Sequence, residues 1–467
     1  MKNNTSVVQG QHAMVQPFTV AEPVNEFGET FNGEKGSVQP PKFNDVFFGV
    51  LFYAHLIALV CVVPFAIGYD NNNNNNAAEI DLGQITYFVG VCCVFAVGMS
   101  TLALGFMMKF SRQLVKISLV FGCFTSFAVM ILLFGAGSVM GAVFGAISFA
   151  VTLCYTCAVW NRVAFAAANL NTALSAVRSN LGLSVVAYAL MIVAAGYSLM
   201  WTFISNAVLD AYPAMAFLML LSYFWTHQVL SNTMHATTAG VIGTWWFAPL
   251  EASSFCSPSI KDSFVRSTTY SFGSICFGSL IVAIIQTLRH LQNQLRHSDD
   301  DSMKLIGCII QCILACIEDL IEYFNEWAYI YVGLYGYSYL DAGRNVIQLF
   351  QAKGWTTIIS DSLAARVLGM ISLVIGLFTG LVGFIMASLD QNIFADYGFD
   401  NSSGIGFLFG FLVGLILASI FLGIVDSAVK TCIVCFAESP AEFEQNHPQL
   451  SLELRDAWRS SWPEIYA

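Results

Sequence analysis

The sequence predicts an all-α fold, a polytopic bundle of membrane-spanning helices, and three observations lead to it. Of the 467 residues, 57% are hydrophobic and only 10% are charged, a balance that water-soluble domains do not show. The mean hydropathy is +0.67. The apolar residues form uninterrupted runs of about 20 residues or more, the helix length that crosses the hydrocarbon core of a bilayer.

These apolar runs predict about ten transmembrane helices. The predicted spans are Val46–Tyr69, Ile85–Met108, Ile117–Ala136, Val139–Trp160, Leu181–Leu209, Pro213–Ile242, Tyr270–His290, Leu305–Leu340, Val367–Leu389 and Ile405–Val425. An even number of crossings places both termini on the same side of the membrane.

The distribution of lysine and arginine indicates which side this is, because positive residues in short loops are retained in the cytoplasm. Most of them lie in the tails and in the loops after the even-numbered spans, which predicts cytoplasmic termini. The domain prediction is a disordered cytoplasmic tail over 1–45, a transporter domain over 46–429 and a cytoplasmic tail over 430–467. The loop holding Arg289, Arg296 and Lys304 departs from the rule. Asn401, in an Asn-Ser-Ser acceptor pattern on the opposite side, is the predicted glycosylation site.

Several classes of function are excluded by composition. The net charge is −11 and no long basic stretch occurs, so nucleic acid is not an expected partner. Most of the 13 cysteines fall inside apolar segments, which argues against a disulfide framework. The pair Cys432 and Cys435 has no second pair, so no metal site and no cofactor are predicted. No intramembrane histidine cluster or nucleophile constellation is present, so we do not expect an enzyme.

Polar residues inside spans carry most of the functional information, because a charge at the bilayer centre costs at least about 2.5 kcal/mol and usually faces a cavity. Two sets recur at helical spacing, so each set shares one helix face. The sixth span contributes Trp225, Gln228, Asn232 and His235, and the eighth contributes Glu318, Glu322, Asn325 and Tyr329. Each set has an ordinary structural alternative. In the sixth span, Trp225 would be a packing residue and His235 a neutral histidine bonded to a neighbouring helix. In the eighth span, the acidic residues would form a solvated face.

The stretch Tyr270–Leu291 combines an apolar run with small residues at Gly273, Ser274, Gly278 and Ser279. Small residues let membrane helices approach closely, so these four are predicted to serve helix packing.

The same stretch resembles a conserved block of the choline transporter-like family. The matching residues are Arg266, Tyr270, Gly273, Ser274, Gly278, Ser279, Ile281, Gln286 and Arg289. A second block matches at Asn325, Ala328, Tyr329, Ile330, Tyr335, Gly336, Ala342 and Arg344, and Cys435–Pro448 resembles the family's motif after the last span. Animal members have a long disulfide-bearing loop after the first span, whereas this chain has only the short loop Asp70–Gln84. In this respect the chain resembles the fungal branch of the family.

The resemblance implies a gradient-driven transporter of choline or a related amino alcohol, an ethanolamine-like organic cation, working by alternating access in the plasma membrane or an internal membrane. A quaternary ammonium needs aromatic faces and nearby negative charge. Trp225, Tyr329 and Tyr335 would supply rings, Glu318 or Glu322 the charge, and His235 a proton-responsive group. A non-transporting scaffold or receptor of the same family is the alternative. The predicted partners are a cationic small molecule and the lipid bilayer, and the oligomeric state stays open.

Overall fold

The computed structural model describes residues 36–73, 82–135, 139–296, 311, 314, 321, 324–352, 363–390 and 402–462. Every regular element among them is helical. The helices are α1 (Val46–Asn73), α2 (Leu82–Gly135), α3 (Val139–Val159), α4 (Val163–Ser179), α5 (Gly182–Ala211), α6 (Ala216–Phe247), α7 (Pro258–Thr268), α8 (Phe272–Arg296), α9 (324–335), α10 (Tyr339–Ala352), α11 (Leu363–Leu389), α12 (Ser402–Glu438), α13 (Pro440–Asn446) and α14 (Pro448–Ser461).

The predicted polytopic helical membrane bundle is confirmed. Within the described ranges, seven helical stretches are long and apolar enough to span a membrane. They are Val46–Gly68, Tyr87–Gly135, Val139–Ser179, Gly182–Ala211, Phe272–Asn293, Leu363–Leu389 and Ser402–Glu438. The count of about ten crossings stays a prediction, because much of the predicted span Leu305–Leu340 lies outside the described residues.

Helix α2 contains two of the predicted spans. Its 54 residues rise about 80 Å, whereas the hydrocarbon core is about 30 Å thick. The helix is kinked at Phe110, whose φ and ψ are −124° and 23°. This kink falls between the predicted spans Ile85–Met108 and Ile117–Ala136, where a loop was expected.

Helix α6 is long enough to span but is not among the seven apolar stretches. Its buried positions include many polar side chains: Ser222, Thr226, Asn232, Thr233, Thr237 and Thr238. Helices α5, α7, α8 and α12 pack around it. For five of these six, hydrogen bonds within the protein replace those that water would make; the Thr238 hydroxyl has no such partner among the described residues.

Helices α11 and α12 pack closely against each other along a stripe of glycines. A Cβ atom added at Gly406 would lie 2.6 Å from the carbonyl oxygen of Gly383, and one at Gly410 would lie 2.7 Å from that of Thr379. One at Gly414 would lie 2.5 Å from the Thr379 Cβ. The absence of side chains therefore lets the two backbones touch, as in small-residue packing of membrane helices.

The chain after the last predicted span is packed onto the bundle. Helix α12 continues to Glu438, and α13 and α14 then lie against α6 and α4. Phe443 is fully buried and stacks on Trp246 at 3.8 Å between ring centroids. The Asn446 amide donates to the carbonyl oxygens of Trp246 and Phe247, at 2.9 and 3.0 Å. These bonds satisfy carbonyl groups that the end of α6 leaves without helical partners.

Candidate functional site

Helices α6, α8 and α9 meet at a buried set of hydrogen-bonded side chains, here called the polar layer: Asn232, Ser279, Asn325, Tyr329 and Tyr339. Asn232 Nδ2 donates to Ser279 Oγ at 3.0 Å. The Tyr329 hydroxyl donates to the carbonyl oxygen of Ile275 at 3.0 Å and lies 3.3 Å from Ser279 Oγ. Ser279 and Tyr329 are fully buried, and Asn232 is 9% exposed.

Helix α10 extends the polar layer through Tyr339, which the sequence reasoning did not select. Its hydroxyl donates to Asn325 Oδ1 at 3.1 Å, and its ring centroid lies 5.6 Å from that of Tyr329. Both tyrosines press against Gly278, where an added Cβ would lie 2.3 Å from the Tyr339 ring and 2.5 Å from the Tyr329 hydroxyl oxygen. Gly278 therefore provides the space that the two phenol rings fill.

Trp225 lies beside the polar layer, in an aromatic contact between α1, α6 and α8. Its indole Nε1 donates to the carbonyl oxygen of Cys276 at 3.0 Å. Its ring stacks on His55 of α1 at 4.8 Å and meets Phe52 edge-on at 5.2 Å. Gln228 is half-buried and faces Asn232, whose Nδ2 is 3.5 Å from its Oε1. A single face of α6 thus brings the predicted aromatic ring and two amides together.

His235 lies further along α6, between α9 and α12. Its Nδ1 is 2.6 Å from Ser427 Oγ, and its Nε2 is 3.1 Å from the carbonyl oxygen of Glu326. Next to it, Lys430 Nζ bridges two carboxylates, Glu326 at 2.6 Å and Asp426 at 2.8 Å. The sequence reasoning did not connect these charges, although Asp426 and Lys430 follow the last apolar run at a spacing of one helical turn.

The charged residues beside His235 border a cavity of about 60 Å³. It lies between α4, α9, α11 and α12, and Arg162, Asn169 and Trp462 also line it. The cavity does not adjoin the polar layer, because none of the five polar-layer residues lines it.

Tyr335 belongs to a second set at the end of α9, here called the tyrosine–carboxylate cluster: Tyr331, Tyr335 and Glu438, which are buried, and Tyr337, which is half-buried. The hydroxyls of Tyr331 and Tyr335 donate to the two carboxylate oxygens of Glu438. The three ring centroids are 5.3 to 6.2 Å apart. Glu438, which is only 5% exposed, was missed as a site residue, although it lies in the block Cys435–Pro448 that resembles the family motif.

Residues 36–45, here called the N-terminal segment, lie across this end of the bundle. Gly36 N donates to Glu438 Oε1 at 3.4 Å. Ser37 N donates to the Tyr337 hydroxyl at 3.2 Å, and Gln39 N donates to the carbonyl oxygen of Tyr335 at 2.8 Å. The segment therefore covers the tyrosine–carboxylate cluster with backbone hydrogen bonds.

The N-terminal segment also contacts two of the four small residues predicted to serve packing. Asp45 Oδ2 accepts hydrogen bonds from Ser274 Oγ at 2.6 Å and from the backbone N–H of Tyr339 at 3.1 Å. A Cβ added at Gly273 would lie 2.3 Å from the carbonyl oxygen of Asn44. The start of α8 thus accommodates the chain entering α1, and α1 itself approaches it at Gly49, where an added Cβ would lie 3.6 Å from the Gly273 Cα.

Arg266, the first residue of the resembling block, lies in α7, outside the spanning helices. Its guanidinium donates to the carbonyl oxygens of Gly333 and Leu334, near the C-terminal end of α9. A cation there complements the partial negative charge of the helix end. Burial lowers the pKa of Arg266 to about 10, so the side chain remains charged at neutral pH.

The predicted site residues therefore fall into three places. Trp225, Gln228, Asn232, Asn325 and Tyr329 lie together at or beside the polar layer. His235 is on the α12 side, with its ring centroid 6.4 Å from that of Tyr329, and Tyr335 is in the tyrosine–carboxylate cluster. Glu318, Glu322 and Asn401 lie outside the described residues. In the part of the chain that the structure describes, no group of three or more His, Cys, Asp or Glu is arranged to hold a metal ion.

The fold and the buried polar residues define a multi-pass helical membrane protein. The family profile described as "Plasma-membrane choline transporter" matches residues 143–441, more than half of the chain. The chain belongs to the choline transporter-like family, which confirms the resemblance identified from its motifs. The family is one of transporters, not of enzymes.

Relatives that are similar over most of the chain occur in an amoeba and in fungi. A CTL-like protein of Dictyostelium discoideum is 25% identical over 438 residues, covering 90% of this chain and 76% of the relative. Protein PNS1 of Mycosarcoma maydis is 28% identical over 477 residues, covering 94% and 86%. Protein PNS1 of Saccharomyces cerevisiae is 23% identical over 491 residues, covering 96% and 89%.

Proposed function

We propose that the protein moves choline or a related amino alcohol, an ethanolamine-like organic cation, across a membrane by alternating access. The observation that carries the proposal is the polar layer with Trp225 beside it. It is a buried meeting point of three helices, within a chain whose family profile is described as a choline transporter. Both termini would be cytoplasmic and the membrane would be the plasma membrane, as the distribution of lysine and arginine and the family description favour.

The chemistry of a quaternary ammonium fits the residues around the polar layer. Its nitrogen has no hydrogen to donate, so aromatic faces and a carboxylate must hold it. Trp225 and Tyr329 supply rings from facing helices, and the hydroxyl of the amino alcohol can bond to an amide such as Asn232. Glu318 or Glu322 would supply the negative charge, and His235 would respond to protons.

The polar layer is closed in this structure, because its side chains bond to one another and to the backbone of α8. A substrate would enter by replacing these internal bonds as α6 separates from α8 and α9. Such exchange is possible at small net cost, since each bond that is lost is replaced by one to the substrate. Helix α6 is the element that would move relative to its neighbours.

Membrane potential is a sufficient energy source. A monovalent cation that enters a compartment held 100 mV negative gains about 2.3 kcal/mol, equivalent to about fifty-fold accumulation. The sequence contains no Gly-rich loop with Lys-Ser or Lys-Thr for binding ATP. Transport driven by gradients therefore fits the chain.

Flux of radiolabelled choline and ethanolamine into liposomes containing the purified protein tests the proposal. Saturable uptake that rises with an inside-negative potential is the expected result. No uptake of either compound, with and without a pH gradient, would overturn the transport proposal and favour a scaffold or receptor.

The site within the proposal is tested by the double variant Trp225→Ala with Glu318→Gln, which should abolish saturable uptake. Tyr53→Phe serves as the control, because Tyr53 is 53% exposed on α1 and away from the polar layer. Uptake that survives the double variant would refute the site while leaving the transport function intact.

A further inference from the structure

We infer that the tyrosine–carboxylate cluster is a second binding site for an organic ammonium cation, and that the N-terminal segment occupies this site until the cation displaces it. The inference rests on the proposed function for the identity of the cation. It assigns a ligand to residues at the end of the helix bundle, away from the polar layer.

The cluster has the chemistry that an ammonium cation requires. The hydroxyls of Tyr331 and Tyr335 meet at one carboxylate, that of Glu438, and the ring of Tyr337 lies next to both of these tyrosines. Aromatic faces attract cations, and the attraction is stronger where water is excluded. Glu438 is 5% exposed and Tyr335 is 3% exposed, so a cation bound here would be largely desolvated.

Gly36 lies where such a cation would bind. Its N–H points at the Glu438 carboxylate, with 3.4 Å between N and Oε1. It also lies against the Tyr335 ring so closely that an added Cβ would be 2.4 Å from Cε2. A backbone N–H, the positive end of the peptide dipole, thus faces the carboxylate, and the same residue lies against the ring. A ligand ammonium would make the same two contacts with a full charge.

The N-terminal segment is held in a way that permits its release. Val38 is 62% exposed and Phe43 is 60% exposed, so the segment buries few apolar side chains. It is attached chiefly by hydrogen bonds, those of Gly36, Ser37, Gln39 and Asn44. Hydrogen bonds to the bundle exchange for bonds to water at small net cost, whereas extensive apolar burial would anchor the segment.

Displacement of the segment would reach the polar layer through Asp45. Its carboxylate bonds to Ser274 and to the backbone of Tyr339, and the Tyr339 hydroxyl bonds to Asn325. Among the described residues, Asp45 and Gly336 are the two with positive φ, 50° and 78°. Asp45 directly follows Asn44, whose Nδ2 donates to the carbonyl oxygen of Gly336 at 2.8 Å. Positive φ is unstrained for Gly336, whereas at a non-glycine residue such as Asp45 it is the kind of conformation that clusters at ligand clamps and switches.

Hydrogen–deuterium exchange of the full-length protein in nanodiscs tests the displacement directly. Choline chloride is compared with sodium chloride at equal ionic strength. We expect choline to speed exchange of the Gly36 and Gln39 amides by about tenfold, because their acceptors on the cluster are taken over or released. Unchanged exchange of these amides at saturating choline would overturn the inference.

Choline binding to variants tests the competition between segment and cation. Gly36→Leu places a side chain where the Tyr335 ring leaves no room, so the segment should detach and the Kd for choline should fall about three- to tenfold. Val38→Leu, in the same segment but exposed, is the matched control and should leave Kd unchanged. Asn44→Ala removes one anchoring bond without a clash and should lower Kd in the same direction.

The carboxylate is tested by Glu438→Gln, which keeps the shape and removes the charge. It should raise the Kd by about tenfold or more, since a desolvated cation loses its counter-charge. Glu444→Gln, at a carboxylate that is 54% exposed, is its control. Equal Kd values for the wild type, Gly36→Leu and Glu438→Gln would overturn the inference.

The two proposals fail in different ways. Saturable uptake by the wild type, together with unaltered exchange and unaltered Kd in these variants, refutes the second site and leaves the transport function standing. Choline-dependent exchange of the N-terminal segment without any uptake supports the site and refutes transport. If neither uptake nor choline-dependent exchange is observed, both proposals are refuted.

Discussion

Substitution of Gly410 by alanine should separate helices α11 and α12. The new Cβ would lie 2.7 Å from the Thr379 carbonyl oxygen, whereas ordinary contacts begin at 3.4 Å. It would also lie 3.2 Å from the Cα atoms of Gly380 and Gly383. All three neighbours are backbone atoms, so no side chain can rotate away and the helices must move apart by about 0.7 Å. Overpacking of this kind costs about 1–3 kcal/mol.

The matched control is Gly423→Ala in the same helix, where an added Cβ has nothing within 4 Å. Alanine is the better helix former by up to about 1 kcal/mol, so this variant should be neutral or slightly more stable. Gly410→Ala should therefore be destabilising and Gly423→Ala should not, although the same atoms are added in both.

Thermal unfolding of both variants in detergent, followed by size-exclusion chromatography of the heated samples, measures the difference. We expect a lower Tm for Gly410→Ala and an equal or higher Tm for Gly423→Ala. Equal shifts in the two variants would show that the glycine stripe does not set the distance between α11 and α12, and the packing argument would be wrong.

Three further predictions concern the polar layer and the end of α6. Phe443→Ala should destabilise the protein by about 3–5 kcal/mol because it empties a fully buried position against Trp246, whereas Leu452→Ala, at an exposed position, should not; equal unfolding temperatures would contradict this. Burial lowers the pKa of His447 below its usual 6.5. When α13 and α14 detach from the bundle, His447 therefore binds a proton more readily than when they are packed. The packing of α13 and α14 should be strongest above about pH 6.5 and should weaken as the pH falls. Limited proteolysis of α14 across this range measures the effect, and a pH-independent cleavage rate would count against it. Tyr339→Phe removes the hydroxyl that bonds to buried Asn325 and should cost about 1–3 kcal/mol in unfolding measurements, with Tyr53→Phe as a control that should cost nothing.

The sequence was sufficient for the class of fold and for the family. Long apolar runs with few charges allow only spanning helices, because a bilayer leaves no other way to satisfy the backbone. The family could be identified from motif residues such as Arg266 and Gly278, because a motif is recognised from the sequence without knowing which residues are in contact. The grouping of Asn232 with Gln228 also followed, because helical periodicity alone places them on one face.

Contacts between helices could not be obtained in the same way. Ser274 is predicted to serve helix packing, and nothing in its own helix indicates that its hydroxyl donates to Asp45, 229 residues earlier in the chain. Tyr335 was selected as an aromatic ring, but its carboxylate partner, Glu438, lies 103 residues later. No periodicity in one helix indicates which distant residue will face it.

The amino-acid sequence by itself thus determined that this protein is a helical membrane bundle of the choline transporter-like family, because hydropathy and local spacing are properties of single segments. Only the tertiary structure decided that Asn232, Ser279 and Tyr329 share one polar layer, and that the N-terminal segment covers Glu438. These pairings depend on how the helices pack against one another, and packing depends on the shapes of whole surfaces rather than on any one stretch of the chain.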